Sequence, residues 1–376
     1  MAQLSVVSPQ DEALALARSL PAPGPATSRF WKIDVAKLGL EDLTPGSAEP
    51  RFAIDPGAQR RGVIACDVRT AERALLDAQG SVIDWRRGKL TALNAAHRNG
   101  GAVIYLPAGV VVDEPIVLRH HLSGEAAFPY TLVVASPGAR ATIVSRCVAG
   151  DEVSLVSEIV EIVASEHAQI TFAAIQDLRP NVRVFWTRGA NIARDAELGW
   201  AIAELGAELS IGQVRSTTLG PGARTTLAGF FFPTGRQHVD VASEADHPAG
   251  QTQSETLFKS AATGSGQARF IGNIRIHPAA HGVDATLRDD ALLLSKNAHI
   301  DSIPALEIAA NDVKAYHGAT IGAIDEDELF YAMTRGIDRH EAERMIALGF
   351  FEPAIVRFPT EGLRYELRAA LAEKIA

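Results

Sequence analysis

Short apolar runs bounded by glycine, proline or charged residues dominate the chain between residue 101 and about residue 322. Residues 102–106 read AVIYL, residues 130–134 read YTLVV and residues 141–144 read ATIV. Runs of this length, rich in valine, isoleucine and leucine, predict β-strands. Residues 291–294 read ALLL without alternation, which is typical of a strand in a parallel sheet covered on both faces. The pattern predicts a mainly β core.

A small residue precedes a short β run at several places along this core. The alanines concerned are Ala168, Ala196, Ala207, Ala223, Ala268 and Ala298. Their spacings of 28, 11, 16, 45 and 30 residues are irregular and establish no fixed repeat. Many short strands with few helical patterns fit a β-solenoid. A β-sandwich stays open as the alternative, and the runs without alternation favour the solenoid.

The first 100 residues read as helical segments joined by loops. Helices are predicted at residues 11–19, 70–78 and 88–97. The first is stopped by the proline-rich residues 20–25, and the third is followed by Gly100 and Gly101.

The last 54 residues are predicted to be helical. The helices expected there cover residues 325–334, 338–348 and 361–375. Gly336 and Gly349 are expected to end the first two, because glycine readily adopts the left-handed conformation that terminates a helix. Such a small helical unit cannot bury all its apolar surface alone, so it must pack on the β core or on a partner.

Composition excludes several classes of function. The formal net charge of −9 argues against a protein that coats nucleic acid or binds membranes through basic residues. No apolar run reaches the roughly 18 residues of a transmembrane helix. The first 20 residues contain Asp11, Glu12 and Arg18 and lack a continuous apolar segment, so no secretory signal is predicted. We therefore expect a cytoplasmic protein.

Several catalytic motifs are missing from the sequence. Residues 220–225 read GPGART and lack the lysine of a phosphate-binding loop, so we expect no nucleotide to bind this chain. Asp284, Asp289 and Asp290 could serve a β-helix carbohydrate-active enzyme, which is one alternative function. Aromatic residues make up only 6% of the chain, however, and the adjacent pair of aspartates is predicted to lie in a turn between strands.

Four histidines lie between residues 277 and 317, namely His277, His281, His299 and His317. The first two flank Pro278, which predicts a surface turn rather than a helical metal-binding pair. His299 also has the context of a turn. His317 lies where the β-rich part of the chain ends and a helix begins. Taken alone, a histidine at the end of a strand has either a structural role or a ligand role.

An ordered set of short motifs surrounds His317. It comprises IHP at residues 276–278, LLLS at 292–295, PALEI at 304–308, DVKAYHGATIG at 312–322, LFY at 329–331 and RGI at 335–337, followed by residues 342–350. Over residues 250–350 this set resembles the SufB/SufD family, the scaffold subunits of the Suf system for iron–sulfur cluster assembly.

Two features favour the D-type over the B-type subunit of that family. The B-type subunit typically has a glutamate where this chain has Gly318, and it carries cysteines thought to hold sulfur or the cluster. This chain has two cysteines, Cys66 and Cys147, and none beyond residue 147. Because cluster iron is normally held by cysteine thiolates, His317 could at most act beside a thiolate of a partner.

The resemblance implies a fold in three regions. Residues 1–100 would form an N-terminal helical region, residues 101–322 a right-handed parallel β-helix, and residues 323–376 a C-terminal helical unit that docks an ATPase. The chain would be a non-enzymatic scaffold subunit of a SufBCD-type complex. It would pair with the B subunit near His317 and bind the C subunit, an ABC-type ATPase, which would consume the ATP.

The resemblance also implies a transient iron–sulfur cluster shared with the partner subunit, with His317 as a possible ligand. The residues expected to contact partners through the helical unit are Asp325, Leu329, Phe330, Tyr331, Arg335, Met345 and Phe350. A B-like subunit that acts as a homodimer is the alternative within the same family.

Overall fold

The computed structural model describes residues 8–23, 33–40 and 43–375. Within these residues the chain forms 19 strands and seven α-helices. The strands are β1 (Ser47–Ala53), β2 (Ile64–Asp67), β3 (Ala102–Leu106), β4 (Ile116–Ser123), β5 (Ala126–Ala127), β6 (Tyr130–Ala135), β7 (Arg140–Ala149), β8 (Leu155–Ala164), β9 (Gln169–Gln176), β10 (Arg183–Ile192), β11 (Glu197–Glu204), β12 (Leu209–Thr218), β13 (Arg224–Phe231), β14 (His238–His247), β15 (Gln253–Ala262), β16 (Gln267–Ile276), β17 (Val283–Leu293), β18 (His299–Ile308) and β19 (Val313–Ala323). The helices are α1 (Pro9–Ser19), α2 (Pro56–Arg60), α3 (Arg73–Leu76), α4 (Lys89–His97), α5 (Glu326–Thr334), α6 (Arg339–Ile355) and α7 (Glu361–Ile375).

The strands form two long sheets. Sheet I has the order β1-β4-β7-β9-β11-β13-β15-β17-β19, and sheet II has the order β2-β3-β6-β8-β10-β12-β14-β16-β18, with β5 beside β8. From β6 onward successive strands alternate between the sheets, and all neighbours in a sheet are parallel except β1 with β4 and β2 with β3. A parallel β-solenoid with helices at both ends is thereby confirmed, and the β-sandwich alternative is excluded.

The solenoid does have a sequence repeat, although the alanine spacings did not reveal it. Paired residues on successive coils of sheet I lie 27 residues apart for Glu197 and Arg224, and 31 apart for Gln253 and Asp284. Ala168, Ala196 and Ala223 are fully buried and each stands just before a strand of sheet I. Ala207, Ala268 and Ala298 lie within two residues of the start of a strand of sheet II. The six alanines therefore belong to two series, one for each sheet. Counting the spacings across both series made the repeat look irregular.

Helices α1 and α4 cover the outer face of sheet II near the first coils. Ala17 and Leu93 pack there against Phe185 and Leu209. A loop beside them is held by Glu161, whose carboxylate accepts hydrogen bonds from three backbone N–H groups of residues 80–83 and from Tyr130. The helix predicted at residues 70–78 is much shorter than expected and covers only Arg73–Leu76.

The C-terminal helices cover one half of the outer face of sheet I. The prediction that Gly349 ends a helix is wrong, since α6 continues through Gly349 and Pro353 to Ile355. Phe351 and Ile355 are fully buried against the sheet, and this packing outweighs the intrinsic preferences of glycine and proline. Pro353 has no N–H, so the Gly349 carbonyl lacks its usual hydrogen bond within the helix. Because Gly349 is exposed, a water molecule can donate a hydrogen bond to that carbonyl instead.

Removal of the Phe351 ring should destabilise the whole structure. Phe351 is fully buried and its ring centroid lies 5.5 Å from that of Phe230 and 5.9 Å from that of Phe232. We expect Phe351→Ala to lower the free energy of unfolding by about 3–5 kcal/mol in denaturant titrations. Phe330→Ala is the matched control, because Phe330 is 69% exposed and should change stability by only about 0.5 kcal/mol or less. Equal effects of the two substitutions would contradict this packing.

Acid should destabilise the solenoid through His247. This side chain is fully buried, its nitrogens contact the Thr252 and Ser254 hydroxyls at 2.7 and 2.9 Å, and burial lowers its pKa to about 4. Because the unfolded histidine titrates near 6.5, the folded state loses stability as the pH falls from about 6.5 toward 4, by about 2 kcal/mol at pH 5. We expect His247→Gln to reduce this pH dependence, part of which remains because buried His120 also has a pKa lowered to about 4, and His281→Gln, an exposed turn residue, to leave it unchanged. Unfolding measured between pH 7 and 5 checks both.

Candidate functional site at the open end of the solenoid

The last coil of the solenoid is formed by β18 and β19. Among the described residues, no strand pairs with the outer edge of either one. Both strands also expose large apolar side chains: Ile303 (44% exposed), Ile308 (43%), Tyr316 (61%) and Ile321 (47%). An unpaired strand edge with exposed apolar residues is a surface that readily pairs with another chain.

His317 lies in the middle of β19 on this open coil. Its backbone pairs with Leu287 of β17, whose side chain is 1% exposed in the interior of the solenoid. Since paired residues of adjacent parallel strands share a face, His317 stands on the interior-facing side of the last strand. No further coil covers it, and its side chain is exposed. The structure thus places the predicted histidine at an end of the core that is accessible to solvent.

The side chain of Tyr316 lies over the position that a Cβ atom of residue 318 would take. A Cβ atom at position 318 would lie 2.6 Å from the Tyr316 hydroxyl oxygen and 3.2 Å from the ring. The tyrosine therefore occupies the space beside the strand that a larger residue at position 318 would need. This is the position where the B-type subunit typically has glutamate.

Asp290 connects β19 to the rest of sheet I and to helix α6. Its carboxylate accepts hydrogen bonds from Thr320 (2.7 Å), Lys259 (2.7 Å) and Arg288 (2.9 Å), and the Lys259 ammonium lies 4.6 Å from the centroid of the Phe350 ring. Burial alone would raise the pKa of Asp290, but the bonds from Lys259 and Thr320 outweigh it and hold the pKa below its usual value. One carboxylate thus joins the strand that carries His317 to the C-terminal helices.

The prediction that Asp289 and Asp290 lie in a turn is wrong. Both belong to β17, where hydrogen bonding to β15 and β19 imposes an extended backbone. Asp289 is fully buried on the interior side, and neither carboxylate oxygen has a hydrogen-bond partner. Desolvation raises the pKa of Asp289 to about 7; the nearby Ser302 hydroxyl opposes this rise and the Asp290 charge adds to it.

The position of Asp289 could have been inferred from the coil repeat. It lies 31 residues after its partner Phe258 and 30 residues before its partner Ala319, within the repeat that relates the coils of sheet I. Because Asp284 is exposed on the same strand and Asp290 is tied to Lys259, the three aspartates are not brought together. They do not form the paired carboxylates that sugar cleavage requires.

The described part of the chain does not assemble a metal site by itself. No group of three or more His, Cys, Asp or Glu side chains there could jointly hold a metal ion. His277 and His299 instead face carboxylates, with 2.8 Å between His277 Nε2 and Asp246 and between His299 Nε2 and Asp301. A complete metal site at His317 therefore needs further ligands from another molecule.

Both cysteines are free thiols within the structure. Burial, aided by the nearby charge of Asp67, raises the pKa of Cys66. Burial and the charge of Glu158 raise the pKa of Cys147 well above its usual value. Since the thiolate is the nucleophile and metal ligand, neither cysteine is poised to hold sulfur or iron.

The helical pair α5–α6 forms a second exposed surface beyond the last coil. We call the exposed apolar side chains of this surface the α5–α6 patch. They are Phe330 (69% exposed), Tyr331 (62%), Met333 (44%) and Met345 (51%). Arg335 lies beside it and donates a 3.0 Å hydrogen bond to the Tyr331 hydroxyl.

The other residues expected on this surface have different positions. Asp325 is the N-cap of α5 and accepts a 2.7 Å hydrogen bond from the Asp327 N–H. Leu329 is 2% exposed and packs inside the unit, so it supports the patch rather than forming part of it. Phe350 is half-buried under Lys259. Across the described residues, no helix is long and apolar enough to cross a membrane.

Comparison with known proteins agrees with the motifs around His317. Residues 118–350 match the SufBD core domain of the SUF system for FeS cluster assembly. The iron–sulfur cluster assembly protein SufD of Bacillus subtilis is 29% identical over 346 residues, covering 89% of this chain and 78% of that protein. A SufBD family protein of Staphylococcus epidermidis is 29% identical over 311 residues, covering 81% of this chain and 67% of that protein.

The domain match spans more than half of the chain and includes His317, both strands of the open coil and helix α5. The chain belongs to the SufBD family of iron–sulfur cluster assembly proteins and is of the SufD type.

Proposed function

We propose that this chain is a non-enzymatic scaffold subunit that builds an iron–sulfur cluster jointly with a SufB-type subunit. The observation that carries the proposal is the position of His317, exposed on the interior-facing side of an unpaired coil. A cluster there needs thiolate ligands that this chain does not supply, so the site is completed across an interface. The cluster is then the cargo of the complex rather than a resident cofactor.

The interface with the SufB-type subunit forms along the open edges of β18 and β19. Strand pairing across these edges satisfies the unpaired backbone groups, and the exposed Ile303, Ile308 and Ile321 become buried. His317 then lies inside the joint. This arrangement accounts for a ligand-competent histidine that belongs to no group of three or more metal-ligating side chains in the described part of this chain.

A SufC-type ATPase docks on the α5–α6 patch. Large flexible or aromatic side chains such as Phe330, Tyr331 and Met345 are typical of the centre of a protein interface. ATP is bound and hydrolysed by that partner, and this chain transmits the resulting motion. We place the complex in the cytoplasm, where reduced thiols and cluster assembly are compatible.

Loss of the His317 imidazole should impair cluster assembly without breaking the complex. We expect His317→Ala to co-purify with the SufB- and SufC-type partners and to form several-fold less cluster in anaerobic reconstitution, measured by visible absorption and iron content. His281→Ala, an exposed histidine outside the last coil, is the control. Unchanged cluster yield would remove the role of His317, whereas failure to bind either partner would contradict the scaffold function. Cleavage of a sugar polymer by the isolated chain would favour an enzyme.

The α5–α6 patch can be tested separately from the cluster site. We expect Phe330→Ala to weaken binding of the SufC-type ATPase by about tenfold or more, because a central aromatic anchor commonly contributes 2 kcal/mol or more. Binding of the SufB-type subunit should not change, since Phe330 lies on α5 rather than on β18 or β19. Val356→Ala, another exposed apolar residue, is the control. Equal ATPase affinity of both variants and the wild type would move the docking site elsewhere.

A further inference from the structure

Asp289 is an exception among the buried charged groups of the solenoid. Arg188 lies in the interior several coils away and bonds to both Glu158 (2.9 Å) and Glu204 (3.4 Å), so its charge is matched. Asp289 is also fully buried, yet both of its oxygens lack a hydrogen-bond partner, and no other buried carboxylate of the described residues shares this condition. A carboxylate removed from water without a partner is costly, so it calls for a ligand.

The location of Asp289 shows where such a ligand can enter. Asp289 pairs with Ala319 of the last strand, so only one strand separates it from the open end of the solenoid. Ala319 is small and exposed, and no described strand follows it. Ser302 of β18, whose hydroxyl is also without a partner, lies near the carboxyl group. The unpartnered oxygens thus lie directly beneath the surface that carries His317.

The register places Asp289 and His317 within reach of one ion. His317 pairs with Leu287, and Asp289 is two residues further along β17 on the same interior face. Strands lie about 4.8 Å apart and rise about 3.3 Å per residue, so the two Cα atoms are roughly 8 Å apart. A carboxylate and an imidazole that each bond a metal at about 2 Å can span this separation.

We propose that Asp289 and His317 form a binding site for a divalent transition-metal ion, ferrous iron in the proposed function, at the open end of the solenoid. The site uses one carboxylate oxygen and one imidazole nitrogen, a ligand set that suits ferrous iron. Ser302 and water supply further oxygen ligands, and a partner completes the shell. Binding releases any proton held by the Asp289 carboxyl and leaves the oxidation state unchanged. The identity of the ion rests on the proposed function, whereas the site itself does not.

The test measures metal binding by the whole chain, without partners. Cobalt(II) is the probe, because its visible absorption reports ligation by nitrogen and oxygen, and ferrous iron is then added anaerobically as a competitor. We expect Asp289→Asn and His317→Ala each to weaken cobalt binding by about tenfold or more, since even the loss of an outer-shell group commonly costs 10- to 100-fold. Asp284→Asn is the matched control, because Asp284 is an exposed carboxylate on the same strand.

The asparagine variant keeps the shape of the side chain and removes its charge, so its folding should be intact and is checked by the unfolding transition. If it does not fold, Ser302→Ala and His317→Ala report on the same site. The proposal would be overturned if Asp289→Asn bound cobalt as tightly as the wild type does. It would also be overturned if the absorption spectrum of the cobalt-loaded wild type showed no nitrogen ligand. Cobalt binding by a wild-type chain that fails to bind its partners would contradict the proposed function alone.

Discussion

A parallel β-solenoid requires a neighbour on both sides of every coil, and this requirement determines where the chain can act. At the N-terminal end the antiparallel strands β1 and β2 complete the two sheets. At the C-terminal end the chain leaves the solenoid after β19 and forms helices that pack on the outer face of sheet I. Those helices leave the edges of β18 and β19 unpaired. Within the described residues, the surface that carries His317 is thus the end of the parallel solenoid that no antiparallel strand caps.

The hydrogen bonds that Asp290 accepts connect this open coil to the helical unit. Thr320, three residues after His317, bonds to Asp290, which bonds in turn to Lys259 under the Phe350 ring of α6. Phe351, next along the helix, is packed between the rings of Phe230 and Phe232. A force applied to α5 or α6 would therefore act on directional contacts that are largely buried. These contacts end on the strand that carries His317, so packed parts of one chain join the two proposed partner surfaces.

The sequence predicted those parts of the fold that depend on local preferences. The strand at Ala102–Leu106 and the helix at Glu361–Ile375 have the predicted limits, because their apolar periodicity is uninterrupted. The coil repeat was not detected from the sequence, because the alanines that mark it precede strands of two different sheets and because the coils differ in length. Gly349 was misassigned because its local preference is overridden by packing of Phe351 several residues later.

The candidate site was predictable only where a motif marks it. His317 could be found through the family resemblance. Its exposure could not be predicted, because it depends on the absence of a following coil, and no local sequence pattern indicates that. Asp289 and Asp290 look like turn residues because adjacent aspartates usually prefer water. In the folded chain the alternation of the strand places one inside and one outside, and only the outer one meets cations.

That asymmetry between two neighbouring aspartates is the strongest reason to regard the end of the solenoid as a binding site. Other carboxylates of this fold have hydrogen-bond donors. Asp290 accepts hydrogen bonds from three side chains, and Glu161 accepts hydrogen bonds from three backbone amides. An asparagine or a small apolar residue in place of Asp289 would avoid the desolvation cost without changing the strand. A carboxylate at such a position, one strand beneath an exposed imidazole, is costly in its charged form, and the raised pKa of Asp289 reflects that cost. A cation bound at the open end would offset the same cost and favour the charged form.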